Sequence, residues 1–145
     1  MEIDQPIKEY DAESLKYHDI TQRIIGIFYE VYNILGYGFL EKIYQNAMEL
    51  RLRKAGFSVF SQHPIAVHFD NQVIGEYFAD LVVEEKIIVE LKAVQQLSAE
   101  HEAQLLHYLR ATDYEVGLLL NFGPRPEIHR KIHDNAKKKF HRNNG

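Results

Sequence analysis

The sequence predicts an α/β domain in which helices flank a central mixed β-sheet. Three observations support this fold class: an amphipathic helical period near the N-terminus, a central strand–turn–strand segment, and a short unbroken apolar run, Val116-Gly117-Leu118-Leu119-Leu120. Helix-like and strand-like segments alternate along 145 residues, a length typical of one domain with a substantial core. We expect an N-terminal arm over residues 1–13, the domain over residues 14–134 and a basic tail over residues 135–145.

The first helix is predicted from about Tyr17 to Leu35, because apolar residues recur there at helical spacing. Gly36 and Gly38 follow it, and glycine readily adopts the left-handed conformation that ends a helix. Extra tyrosines on this helix would also suit contact with a second copy of the chain. The apolar stripe comprises Ile20, Ile24, Ile27, Phe28, Val31, Ile34 and Leu35.

A second helix is predicted over residues 39–54, closed by Gly56. We expect Ile43, Ala47 and Leu50, with Met48, to pack inward. Glu41 lies in its first turn, where an acidic residue stabilises the positive end of the helix dipole, so its presence alone does not indicate a functional role.

The middle of the chain reads as strands. Residues 57–69 have apolar side chains at alternating positions, and Pro64 indicates an edge strand or a bulge. A turn at residues 70–72 leads to two apolar strands within residues 76–92, which a tight turn at Glu84-Glu85 joins into a hairpin.

Three charged residues interrupt this apolar hairpin. Glu90 and Lys92 point to the same side of their strand, and pairing around the turn places Asp80 beside Glu90. Two adjacent carboxylates repel each other, and a divalent cation such as Mg²⁺ would relieve the repulsion. The alternative is a salt bridge from Lys92 to Glu90 or Asp80; the hairpin alone does not separate the two interpretations.

The C-terminal half predicts a helix over residues 99–111, with Ser98 as its N-cap and Leu105, Leu106 and Leu109 on its core face. Gln104 and Tyr108 lie four residues apart on one side of this helix, a pattern that surface residues also produce. The run at residues 116–120 suits a strand covered on both faces, and residues 127–132 are a candidate final strand.

Composition excludes several classes of protein. The chain has no cysteine, which rules out disulfides and thiolate zinc sites and fits a reducing compartment, and it has neither a signal-peptide pattern nor an apolar run of membrane-spanning length. We therefore expect a cytoplasmic protein without membrane contact. His129 and His133 lie four apart, but no third zinc ligand stands at a recognisable spacing.

The net charge of −4 is unevenly distributed along the chain. From Arg125 onward seven Lys or Arg residues oppose two acidic ones, so this end carries +5 and the remainder −9. An acidic body with a basic end neither indicates nor excludes binding to nucleic acid, because a metal ion can provide the phosphate contact.

Taken in order, the motifs resemble the PD-(D/E)XK nuclease superfamily. Asp80 stands at the position of the motif aspartate, although Ala79 replaces the usual preceding proline, and Glu90-Leu91-Lys92 matches (D/E)-x-K. The run Gln104-Leu105-Leu106-His107-Tyr108 looks like the Gln-x-x-x-Tyr motif of the RecB-type branch. The run Gly38-Phe39-Leu40-Glu41-Lys42-Ile43-Tyr44 is similar to the Gly-x-x-Glu-x-x-Tyr signature of the GxxExxY family.

The resemblance implies a restriction-endonuclease-like core and a nuclease that depends on Mg²⁺, with Mn²⁺ as a substitute. Glu41, Asp80, Glu90 and the carbonyl of Leu91 would bind the metal, and Lys92 would orient the attacking water. Gln104 and Tyr108 would line the active site. The implied partner is nucleic acid, with DNA favoured over RNA, and small members of the superfamily suggest a homodimer by analogy. The alternative is a catalytically weak or inactive module for binding nucleic acid or protein that retains the fold.

Overall fold

The structure, a computed structural model, describes residues 16–138. The predicted N-terminal arm at residues 1–13 and residues 139–145 of the predicted tail lie outside the described part. Three α-helices and five strands follow one another along the chain. They are α1 (His18–Leu35), α2 (Glu41–Lys54), β1 (Val59–Phe69), β2 (Gln72–Val83), β3 (Ile87–Lys92), α3 (Ala99–Ala111), β4 (Val116–Phe122) and β5 (Pro126–Ile132).

The five strands form one mixed sheet in the order β1-β2-β3-β4-β5. Neighbouring strands are antiparallel except β3 and β4, which are parallel and are joined by the crossover through α3. The predicted α/β class with a central mixed sheet flanked by helices is therefore confirmed. Pro64 lies in the edge strand β1, where a missing N–H is tolerated.

The helices cover opposite faces of the sheet. Helices α1 and α2 pack on one face, where residues such as Leu81, Val89 and Leu118 form the larger core cluster. Helix α3 packs on the other face through Leu105 and Leu109. Because α3 covers only part of its face, polar side chains of β2 and β3 remain accessible beside it.

Helix α2 buries a different face from the one that the sequence predicts. Its buried residues are Tyr44, Gln45, Met48 and Leu52, whereas Ile43 and Leu50 are 44% and 58% exposed. The Tyr44 ring stacks on Phe122 at 4.2 Å, so an aromatic residue rather than Ile43 anchors the helix. In α1, Ile34 is likewise exposed, although the rest of its predicted stripe faces the core or its margin.

The junction between α1 and α2 is fixed by the same tyrosine. The hydroxyl of Tyr44 donates a hydrogen bond to the Gly36 carbonyl (2.6 Å), and Gly36 takes the positive φ of 68° that ends α1. The Tyr44 oxygen also accepts from the N–H of Phe39 (3.2 Å). These contacts set the start of α2, and with it the position of Glu41.

Beyond β5 the described chain ends with a short 3₁₀ helix, Asn135–Lys137. Lys138 is fully buried and its ammonium donates hydrogen bonds to the carbonyls of Thr112 and Tyr114. The first residues of the predicted tail therefore pack against the end of α3. Among residues 16–138, no helix combines the length and apolarity needed to cross a bilayer.

Candidate active site

Asp80 and Glu90 form a carboxylate pair on β2 and β3. The strands pair around residues 84–86 with Leu81 opposite Val89, which places Asp80 beside Glu90. The N–H of Leu91 donates to Asp80 Oδ2 (2.8 Å), and the N–H of Asp80 lies 3.4 Å from Glu90 Oε2. The backbone of each strand thus holds the side chain of the other strand, and the two carboxylates share one face of the sheet.

Ionising both carboxylates of this pair is electrostatically costly. Burial and the neighbouring charge of Asp80 raise the pKa of Glu90 from 4.5 to about 8, against the opposing effects of the Asp80 N–H, Tyr77 and Lys92. The protonated form of Glu90 is therefore favoured well above the pH at which an ordinary glutamate ionises. Burial and the charge of Glu90 also raise the pKa of Tyr77, whose hydroxyl contacts Glu90 Oε2 at 3.2 Å.

Glu41 reaches this region from the other side of the sheet, as the first residue of α2. Burial and the charge of Asp80 raise its pKa, while Lys92, the backbone of Ala93 and His101 lower it. These interactions put Glu41 within electrostatic range of both Asp80 and Lys92. The contacts of Tyr44 fix the start of α2. Because Glu41 lies three residues before Tyr44, burial of the Tyr44 ring in the core also sets the position of the exposed Glu41 carboxylate.

Lys92 follows Glu90 on the same face and lines a narrow cleft between β3 and α3. Within residues 16–138, no ion pair joins Lys92 to Asp80 or Glu90, so the salt bridge considered from the sequence does not form. The cleft is lined by Glu90, Lys92, His101, Gln104, Leu105, Tyr108 and Leu119.

Helix α3 contributes the opposite wall of this cleft. Gln104 Nε2 donates to the hydroxyl of Tyr108 (3.0 Å), and the Tyr108 ring stacks on Tyr77 at 3.6 Å with 6° between the planes. Because Tyr77 also contacts Glu90, the Gln104–Tyr108 pair is linked to the carboxylates through packed side chains.

Two side chains of the cleft region were not singled out from the sequence. His101 lines the cleft, and its Nδ1 accepts from the N–H of the N-cap Ser98 (3.0 Å). Residues 101, 104 and 108 share one face of α3, a spacing that could have revealed it. Tyr77 gave no comparable signal, since it reads as an ordinary strand aromatic.

The segment that follows Lys92 is clamped to β4. Asn121 is fully buried, accepts from the N–H of Val94 (2.9 Å) and donates to the Val94 carbonyl (3.0 Å) and to Glu127 (2.8 Å). Glu127 also accepts from the N–H of Leu97 (3.0 Å). This network fixes the path between Lys92 and the start of α3.

The donor set of the site fits Mg²⁺, although no three His, Asp or Glu side chains within the described residues converge into a ready-made metal cluster. Asp80 and Glu90 are hard oxygen donors, and Mg²⁺ is commonly held by one or two carboxylates and water. Burial and the charge of Asp80 raise the pKa of Glu90, and a divalent cation would offset both effects by stabilising the ionised carboxylates. His129 contacts Glu102 rather than a second histidine.

Comparison with protein families identifies the class of protein. A model described as the PD-(D/E)XK nuclease superfamily matches residues 18–132. Because this match covers most of the chain, the protein belongs to the PD-(D/E)XK nuclease superfamily. Members of this superfamily are generally nucleases and typically use divalent metal ions such as Mg²⁺.

Solved structures support the fold. One entitled "Crystal structure of SSO0001" aligns with a TM-score of 0.50 and 20% identity, over 64% of this chain and 50% of its own. The matched region thus spans half the length of that protein, and at this identity the likeness shows the fold alone. No curated protein matches the chain.

Proposed function

We propose that this protein is a Mg²⁺-dependent nuclease that hydrolyses phosphodiester bonds in nucleic acid, with DNA as the favoured substrate and DNA processing or repair as its setting. The observation that carries the proposal is the Asp80–Glu90 carboxylate pair, which shares its face with Lys92 beside the narrow cleft. A half-buried pair of adjacent carboxylates without an ion-pair partner destabilises a fold, so its presence calls for a chemical use.

Asp80 and Glu90 would hold the metal, together with the carbonyl of Leu91 and with Glu41 from the start of α2. Mn²⁺, which accepts the same oxygen ligands, would substitute for Mg²⁺. When bound, the ion supplies Lewis-acid polarisation of a phosphate and lowers the pKa of a water.

The chain's own groups account for the remaining requirements of hydrolysis. Lys92 would orient the attacking water in line with the scissile bond and stabilise the charge that develops on the phosphate oxygens. Gln104 and Tyr108 would contact the substrate from the wall of the cleft, since their polar groups already face each other there. Tyr77 would hold Glu90 through its hydroxyl.

Two structural features support the finer family assignment, to the GxxExxY group and the RecB-type branch. Glu41 would supply a carboxylate to the site, and Tyr44, buried one turn later, anchors the same helix in the core. These two roles explain the three-residue spacing of the motif. Gln104 and Tyr108 are joined by a hydrogen bond on the face that lines the cleft. Assembly as a homodimer in the cytoplasm belongs to the same proposal and rests on analogy.

A cleavage panel tests the proposed activity. Labelled single-stranded DNA, duplex DNA, a branched junction and RNA are incubated with Mg²⁺, with Mn²⁺ or with chelator, using wild type and the Lys92→Ala variant. Metal-dependent cleavage should disappear in Lys92→Ala while metal binding is largely kept, and Lys54→Ala, which removes an exposed lysine at the far end of α2, should cleave like wild type.

Other outcomes separate the alternatives. Wild type that binds metal but cleaves none of the four substrates would favour the binding module that retains the fold without useful catalysis. Absence of metal binding would remove the carboxylate site and leave only the shared fold. Equal loss of metal binding and cleavage in Lys92→Ala would contradict the role given to the lysine.

A further inference from the structure

Gln62 has a strained backbone in the middle of an edge strand. Its φ is +48°, in the left-handed region, although residues 61 and 63 on either side pair regularly with Leu81 and Ala79 of β2. The other non-glycine residues with positive φ among residues 16–138 lie in turns or at the start of α1. Such strain persists only where surrounding contacts hold it, and it is common at functional sites.

The strained residue lies across from Asp80 and contacts it. Gln62 Nε2 is 3.4 Å from Asp80 Oδ1 and 3.0 Å from Oε1 of Gln45 on α2. The Leu91 N–H already occupies Asp80 Oδ2, so donors hold both oxygens of this carboxylate. With both oxygens held, the carboxylate cannot rotate freely about its terminal bond.

The orientation of both amides follows from the chemistry of Asp80. An ionised carboxylate only accepts hydrogen bonds, so Gln62 must present its NH₂ group to it. One hydrogen of that group then points to Asp80 and the other to Gln45, which must accept it with its side-chain carbonyl oxygen. The amide nitrogen of Gln45 is therefore turned away from the bridge.

This arrangement leaves Gln45 in an unfavourable state. Its side chain is only 5% exposed, and its Nε2 has no hydrogen-bond partner within residues 16–138. An apolar residue of similar size would suit the position better for stability alone. Gln45 also stands one turn after Glu41 on the same helix, which ties the bridge to the third candidate carboxylate.

We propose that Gln45 and Gln62 are positioning residues that form an amide bridge between α2 and Asp80, and that this bridge sets the Asp80 carboxylate for metal binding. The inference rests on the proposed function. It explains why a strained strand residue and an unsatisfied buried amide occur side by side, since each would be avoided if only stability mattered.

The Gln62→Gly variant separates positioning from a purely structural role. Glycine adopts positive φ without strain, so the variant should melt at the same temperature as wild type or higher. It removes the amide from Asp80, and we expect Mn²⁺ affinity of chelator-stripped protein, measured by calorimetry, to fall about 10- to 100-fold. Asn71→Gly is the matched control. Asn71 has a φ of 62° in the turn that joins β1 to β2, and it makes no contact with the site.

Gln45→Met provides a second variant that does not depend on the strand backbone. It keeps the side-chain volume, removes the unsatisfied nitrogen and deprives Gln62 of its partner. We expect unchanged or higher melting temperature together with weaker Mn²⁺ binding. If Gln62→Gly fails to fold, the strain argument is wrong and Gln45→Met alone decides the role of the bridge.

The outcomes distinguish this inference from the proposed function. Wild type that does not bind Mn²⁺ overturns the proposed metal site itself. Wild type that binds Mn²⁺, with Gln45→Met and Gln62→Gly binding it equally well, overturns the bridge and leaves the nuclease proposal in place. Loss of affinity that accompanies a lower melting temperature in both variants would assign the two glutamines a structural role.

Discussion

Substitution of Glu90 by glutamine tests the electrostatics of the site in the metal-free protein. Burial and the charge of Asp80 raise the pKa of Glu90 from 4.5 to about 8. Since one pKa unit corresponds to about 1.4 kcal/mol, ionising Glu90 destabilises the folded state by on the order of 5 kcal/mol. Solvent in the cleft relieves part of this penalty, and we expect at least about 2 kcal/mol to be measurable.

The direction with pH follows from the raised pKa. A carboxyl group that binds its proton more tightly in the folded state contributes stability that is fully present below pH 4.5 and is lost as the pH rises through about 8. Glutamine cannot ionise, so the Glu90→Gln variant escapes this loss. Its free energy of unfolding should be close to that of wild type near pH 5 and higher by at least about 2 kcal/mol near pH 9.

Urea unfolding with chelator at several pH values measures this difference. Glu76→Gln on the exposed part of β2 is the matched control and should follow wild type at every pH. Addition of Mg²⁺ should stabilise wild type and have little effect on Glu90→Gln, because only the former keeps the full carboxylate pair. A difference between Glu90→Gln and wild type that stays constant across this range would refute the reasoning.

Three further substitutions address single contacts. Glu41→Gln should weaken Mg²⁺ binding about tenfold in calorimetry with little change in melting temperature, and unchanged affinity would remove Glu41 from the metal site. Tyr108→Phe removes the hydroxyl that accepts from Gln104 (3.0 Å) and should lower kcat/KM about fivefold; an unchanged value would mean that this bond does not help to position substrate. Gly123→Ala would place a methyl group inside van der Waals distance of the Val94 carbonyl oxygen and should lower the free energy of unfolding by about 1–3 kcal/mol, so equal stability in urea would show that the clamped segment can shift freely.

The hairpin was predictable because its signals are local. Two runs of apolar residues on either side of a polar turn define the two strands. Pairing around that turn brings Asp80 beside Glu90. The turn contains three residues, 84–86, rather than the two predicted, and Glu84 and Glu85 both adopt positive φ. The observed pairing of Leu81 with Val89 places Asp80 beside Glu90, as expected.

The buried face of α2 could not be read from the sequence in the same way. Ile43 and Leu50 are more hydrophobic than Tyr44, yet Tyr44 is buried because its ring stacks on Phe122 and its hydroxyl finds the Gly36 carbonyl. Both partners come from other segments of the chain. A helix with apolar residues on several sides leaves such a choice to tertiary contacts.

The amide bridge was also beyond reach of the sequence. Gln45, Gln62 and Asp80 are distant in the chain, and none belongs to a spacing rule that relates it to the others. The positive φ of Gln62 has no sequence signal, because glutamine is not a residue that favours this conformation. Local patterns identified the charged groups of the site, whereas the groups that hold them became visible only in three dimensions.

The features around Asp80 point in one direction when their energies are compared. Ionisation of Glu90 beside it, the strained backbone of Gln62 and the unsatisfied nitrogen of Gln45 each destabilise the fold. Each could be relieved by a single substitution, to glutamine, glycine or methionine. If these residues served stability, the variants Glu90→Gln, Gln62→Gly and Gln45→Met should be less stable than wild type. If they serve metal binding, all three variants should be at least as stable as wild type and should bind Mn²⁺ more weakly. Combining Gln45→Met with Gln62→Gly should then lose no more affinity than either alone, because both remove the same bridge.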